Sequence, residues 1–167
     1  MGSAVSFSRL ILIRHAHRET HNRELDNGLS DKGQTQAEAS AKILHKQYSA
    51  CKPNFLSSPR QRCVETAFLI AKKFGGSVQI DEALTEKALT EESRNFRVRV
   101  QKWIRDFEAM STPFLIACSH GDWIPTALKF MLEEEIQLRK SAWVVLDLED
   151  GVWQLTSIVQ DPLNERI

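Results

Sequence analysis

A chain of 167 residues is long enough to bury roughly 70% of its unfolded surface in a core, so no disulfide framework or structural metal is needed to hold it together. Its 22 Lys and Arg balance 22 Asp and Glu, which excludes a global bias toward nucleic acid or a membrane surface and makes any anion site a local cluster. No apolar run reaches transmembrane length, the N-terminus lacks the apolar core of a signal peptide, and Cys51, Cys63 and Cys118, odd in number and widely spaced, fit reduced cytoplasmic thiols. Met1, Gly2 and Ser6 formally match a myristoylation pattern that is common by chance, and Gly2 and Ser3 equally fit a cloning scar. We expect one domain over residues 1–167.

Leu10 to Ile13 are four consecutive apolar residues without polar alternation, the pattern of a strand buried on both faces. Arg14 and His15 follow at once, where ligands of open α/β sheets bind. The stretch from His15 to Leu29 has no apolar period and reads as a polar loop. Its His15, His17 and His21 match no common zinc spacing, so no metal is assigned. Ser30 predicts an N-cap for a helix from Asp31, with Ala37, Ala41, Leu44 and Tyr48 as its apolar stripe.

Asn54 to Ser57 predicts a short strand running into a helix with Ser58 as N-cap, Pro59 at the first position and Gly75 as the C′ residue. Cys63, Ala67, Ile70 and Phe74 form its buried stripe. Arg60 and Arg62 fall in its first turn, where the dipole does not favour cations, so they serve something else. Ser77 to Ile80 reads as a strand. A helix from about Glu91 carries Phe96, Val100, Trp103 and Phe107, and its arginines, Arg99 among them, read as a solvated face. Phe114 to Cys118 is a second fully apolar run, followed by Ser119, His120, Gly121 and a helix through Trp123 to Met131. Asp150 and Gly151 mark a hairpin turn in which Trp153, Leu155 and Ser157 alternate on one face. The pattern as a whole predicts a three-layer α/β/α sandwich, mostly parallel with an antiparallel edge hairpin.

Five segments occur in a telling order: LIRHA at Leu12 to Ala16, LSDKGQTQA at Leu29 to Ala37, SSPRQRCVETA at Ser57 to Ala67, LTE at Leu84 to Glu86, and SHG at Ser119 to Gly121. This set resembles the histidine phosphatase superfamily, with its phosphoglycerate mutase-like fold. The resemblance implies that His15 is the nucleophile, that Arg14, Arg62 and His120 bind the transferred phosphate, and that Glu86 is a general acid. It further implies phosphate or substrate contacts at Asn22 and Gly121. Ala16 stands where Gly is usual, Thr20 and Asn22 are displaced, and Arg60 stands where an apolar residue is common, as an extra substrate contact or a surface charge.

These residue types belong together chemically. A neutral imidazole attacks phosphorus and gives a phosphohistidine that water cleaves. Two arginines and a histidine neutralise the equatorial oxygens, the work that Mg²⁺ does elsewhere. A carboxyl that protonates the leaving oxygen needs a pKa raised by burial. The expectation is a metal-independent, cofactor-free cytoplasmic phosphatase acting on a phosphorylated small molecule or a phosphoprotein, including protein phosphohistidine. An inactive binding member of the fold is the alternative. A phosphate mutase ranks third, because a chain with no long lid insertion does not retain a reorienting intermediate.

Overall fold

The computed structural model describes residues 6–165; the myristoylation pattern at Met1 and Gly2 falls outside them. Strand β1 (Phe7–Arg14) leads through the polar loop to α1 (Asp31–Tyr48), β2 (Asn54–Ser57), α2 (Gln61–Lys73) and β3 (Val78–Ile80). A 3₁₀ turn at Glu82–Leu84 precedes α3 (Ser93–Ala109), β4 (Phe114–Ser119), α4 (Trp123–Leu132), β5 (Trp143–Glu149) and β6 (Val152–Val159). The six strands form one sheet in the order β3-β2-β4-β1-β5-β6. Strands β3, β2, β4 and β1 are parallel, and β5 and β6 run antiparallel. The architecture is the expected mostly parallel sheet with an antiparallel edge.

The four residues Leu10 to Ile13 lack alternation because both faces of β1 are covered. Leu10 and Leu12 pack with Trp103, Phe107, Trp123 and Leu128 of α3 and α4, whereas Ile11 and Ile13 pack with Ala41, Leu44, Ala67 and Ile70 of α1 and α2. These two cores define three layers. The parallel register also sets a level: Arg14 lies opposite Ser119, and Ser57 lies opposite Cys118. Polar residues that follow β1, β2 and β4 therefore emerge at the same edge, beyond the carboxyl ends of the strands.

Ser30 caps α1, accepting from the Gly33 N–H at 3.1 Å. Gly33 itself permits a close approach, since a Cβ there would lie 1.9 Å from the His17 carbonyl oxygen. Helix α2 closes as predicted: Gly75, at φ 69°, gives its N–H to Lys72, and the Gly76 N–H reaches Ala71, the paired bonds of a Schellman motif.

Four local readings are corrected. Helix α2 starts at Gln61 with Arg60 as an extended N-cap residue, because the Ser58 hydroxyl is committed to His120 at 2.8 Å; Ser58 and Pro59 precede the helix. Helix α3 starts at Ser93 rather than near Glu91. Arg99 is half-buried rather than on a solvated face: it donates to the Ala83 and Thr85 carbonyls at 2.9 Å each and pairs with Glu91 at 2.8 Å. On β6 the alternation breaks at Thr156, where the register shifts so that Leu146 faces Leu155 while Val145 faces Ser157. No helix among the described residues is long and apolar enough to cross a membrane.

Candidate active site

His15 is 6% exposed at the end of β1, and its Nδ1 lies 2.8 Å from the Ala16 carbonyl oxygen. A carbonyl only accepts, so Nδ1 carries the proton and Nε2 keeps its lone pair. That lone pair accepts from Arg62 Nε at 3.3 Å. Burial, opposed by the Ala16 bond and then reinforced by His120, Arg62 and Arg14, lowers the His15 pKa to about 3. The ring is neutral.

Arg62 comes from the first turn of α2, and Thr66 one turn later fixes it to the loop that carries His15. The Thr66 hydroxyl donates to the Arg62 carbonyl at 2.7 Å and accepts from the Ala16 N–H at 3.1 Å. Arg14 gives Nη1 to the Leu138 carbonyl at 2.8 Å. Its Nε is buried without a partner among the described residues, a donor left free for an incoming acceptor. Gly121 makes room for this guanidinium, because a Cβ there would lie 2.7 Å from Arg14 Cζ.

His120 follows β4, with its ring centroid 5.4 Å from that of His15. Its Nδ1 lies 2.7 Å from Glu86 Oε2 and its Nε2 2.8 Å from Ser58 Oγ. Burial disfavours the imidazolium, but Cys63 and the Glu86 carboxylate outweigh it and raise the pKa to about 9. His120 is cationic at neutral pH.

Glu86 corrects an expectation. The resemblance calls for a carboxyl held protonated by burial, and burial does push in that direction. His120, Arg62 and Arg60 prevail and hold the pKa at about 2, with Arg62 Nη2 at 2.5 Å and Arg60 Nε at 2.8 Å. In the free protein Glu86 is a carboxylate shared by three cations.

The structure thus brings together Arg14, His15, Arg62, Glu86 and His120, with Arg60 joined through Glu86. It does not bring in Asn22, which is exposed and uses its Oδ1 to accept from the Glu24 N–H at 3.1 Å. His17 and His21 also stand apart: His17 bonds Ser30 at 2.7 Å and His21 pairs with Glu19 at 3.7 Å. Among the described residues no three His, Cys, Asp or Glu side chains converge as a metal site requires. Sequence reasoning missed Ser58 as a partner of His120 and Arg99 as the clamp on the segment that carries Glu86. The local signal at Ser58, its neighbour Pro59, pointed to a cap instead.

A model of the histidine phosphatase superfamily (branch 1) matches residues 10–92. The chain belongs to that superfamily. Among solved structures, a phosphoserine phosphatase mutant from Entamoeba histolytica in complex with phosphoserine superposes with a TM-score of 0.74 at 21% identity, over 90% of this chain and 96% of that one. A mycobacterial glucosyl-3-phosphoglycerate phosphatase gives 0.72 at 19% identity over 89% and 97%, and a protein described as mycobacterial hydrolase 1 gives 0.73 at 19% over 90% and 97%. At such identities the likeness shows the fold. No curated protein matches the sequence. His120 lies beyond the matched residues, so its place beside His15 comes from the parallel register of β1 and β4.

Proposed function

We propose that this member of the superfamily is a phosphatase that works through a phosphohistidine on His15, without a metal ion or cofactor. The observation that carries the reading is the neutral His15 ring with its Nε2 lone pair set among Arg14, Arg62 and His120. Arg14, Arg62 and His120 outnumber the acidic groups among them, and this excess of positive charge suits a phosphomonoester dianion.

In the first step Nε2 bonds to phosphorus while the ester P–O bond breaks. The leaving oxygen takes its proton from Glu86. That carboxyl acquires the proton as substrate binds: a phosphate between Arg62 and Glu86 draws the cations away and adds negative charge beside the carboxylate, and both changes raise its pKa. In the second step water attacks phosphorus, the P–N bond breaks, and the water proton returns to Glu86. His120 keeps its charge throughout.

The substrate is a phosphorylated small molecule or a phosphoprotein, protein phosphohistidine included, and the three free thiols suit a reducing cytoplasm. Rapid quenching during turnover should recover acid-labile, base-stable phosphate on His15, with the rate unchanged by a chelator. Near wild-type turnover by His15→Ala would refute the mechanism.

A further inference from the structure

Beside the phosphate site stands a group of cations that this mechanism does not use. Arg18, Arg23, Lys32, Arg139 and Lys140 make no ion pair with a described carboxylate, although acids and bases balance over the whole chain. Three of them line a cleft of about 490 Å³, where Lys32, Arg139 and Lys140 are joined by His17 and Gln160. That volume lies in the range of small-ligand sites. The one carboxylate in the lining, Asp161, is engaged locally by the Asn164 side chain at 2.6 Å and the Leu163 N–H at 3.3 Å.

The cleft is tied to the nucleophile. Arg14 donates to the Leu138 carbonyl at 2.8 Å, and the Ser141 N–H reaches the Arg14 and His15 carbonyls at 3.1 and 3.2 Å. Ser141 holds a left-handed backbone, φ 65°, braced by the Ser40 hydroxyl at 2.9 Å from its carbonyl. The segment presenting Arg139 and Lys140 is therefore strained, and it is fixed directly on the residues that hold phosphate. The Arg139 N–H is pinned to Gln160 at 2.9 Å.

The cations gain nothing from each other. Burial and then repulsion from Arg14, Arg23, Arg18 and Lys32 lower the Lys140 pKa. Lys32 stands in the first turn of α1, where the helix dipole opposes it. An anion in the cleft relieves all of these costs.

We propose that the cleft lined by His17, Lys32, Arg139 and Lys140 is a second anion subsite, which holds a further phosphate or carboxylate of the same small-molecule substrate while Arg14, Arg62 and His120 hold the phosphate to be transferred. This rests on the phosphatase reading and narrows it to phosphomonoesters with a second anionic group. The concave walls, built from α1, residues 139–140 and residues 160–164, suit a compact ligand.

The test compares a hexose bisphosphate, the matching hexose monophosphate, p-nitrophenyl phosphate and an acidic phosphopeptide on wild type and on Lys32→Ala/Lys140→Ala. The bisphosphate should lose about tenfold in kcat/KM per cation removed, chiefly through KM, as loss of a charge-assisted contact predicts. The monophosphate and the nitrophenyl ester should change less than about twofold, since they have no group for the cleft. Equal losses on all substrates, or none on the bisphosphate, would overturn the subsite, and a loss confined to the phosphopeptide would assign the cations to a protein partner instead. If wild type hydrolyses none of them and no phosphohistidine protein either, the phosphatase reading fails, and calorimetry on His15→Ala decides the cleft. Tighter binding of pyrophosphate than phosphate that disappears on removing Lys32 and Lys140 supports the subsite, and equal binding in both backgrounds overturns it.

Discussion

In the proposed mechanism the bond from His15 Nδ1 to the Ala16 carbonyl decides which nitrogen attacks and also whether the ring is free to do so. An unperturbed imidazole near pKa 6.5 is about 97% protonated at pH 5, whereas His15, with its pKa lowered to about 3, stays neutral there. ¹⁵N NMR should show a neutral ring at pH 5 with the proton on Nδ1; a midpoint near 6.5 would contradict the electrostatics. The alkaline limit belongs to His120, whose charge is held until about pH 9, so kcat/KM should fall above that pH. Position also separates two neighbouring arginines. Arg62, 11% exposed and bonded to both His15 and Glu86, should cost roughly 10² to 10³ in kcat when changed to Ala, as loss of a charged transition-state partner does. Arg60, 42% exposed and reaching only Glu86, should act mainly on KM. The reverse order in a kinetic comparison of the two variants would mean that Arg60 is the phosphate ligand.

At the scale of the elements, the buried strands and the edge hairpin were legible because each leaves a local trace. Leu10 to Ile13 lack alternation since both faces of β1 are covered, and Asp150 and Gly151, at φ 50° and 78°, meet the needs of a tight hairpin. The segment from Asp81 to Glu91 left no such trace. Its order comes from Arg99 on α3, which reaches three backbone carbonyls and Glu91 at once, and carbonyl directions are not written in side-chain patterns. The ionisation of Glu86 was hidden for the same reason, because the cations that hold it come from α2, its N-cap and the end of β4. Ser58 obeyed the capping pattern and was claimed by His120, 62 residues away. Arg99→Ala should therefore speed hydrogen exchange at residues 83–91 and lower kcat, while exchange in β1 and β4 stays slow. Gly33→Ala tests another joint: its Cβ would meet a backbone oxygen, so destabilisation of about 1–3 kcal/mol is expected by denaturant titration.

For the whole molecule, assembling like charges in one buried site couples stability to pH in two directions. His120 binds its proton more tightly folded than unfolded, with its pKa moved from 6.5 to about 9. Its stabilisation is thus complete below 6.5 and lost as pH rises through about 9. His15 has the opposite sign. Its pKa falls from 6.5 to about 3, so the unfolded chain takes up a proton that the folded protein refuses, and stability drops as pH falls from 6.5 toward 3. Glu86, lowered from 4.5 to about 2, adds to this acid limb only below 4.5. Cys63, pushed up by burial but lowered from 9.0 to about 6 by Cys118 and His120, has the sign opposite to His120 and offsets its loss from about 6.5 to 9, so the net pH dependence is the acid limb, with a slope of at most about 1.4 kcal/mol per pH unit for one proton, and a level region above it. Urea titrations from pH 4.5 to 9 provide the check, with one variant. His15→Gln has no ring to protonate in the unfolded chain and should flatten the acid limb alone. If that variant leaves the acid limb unchanged, the charge state assigned to His15, and with it the assignment of His15 as nucleophile, is wrong.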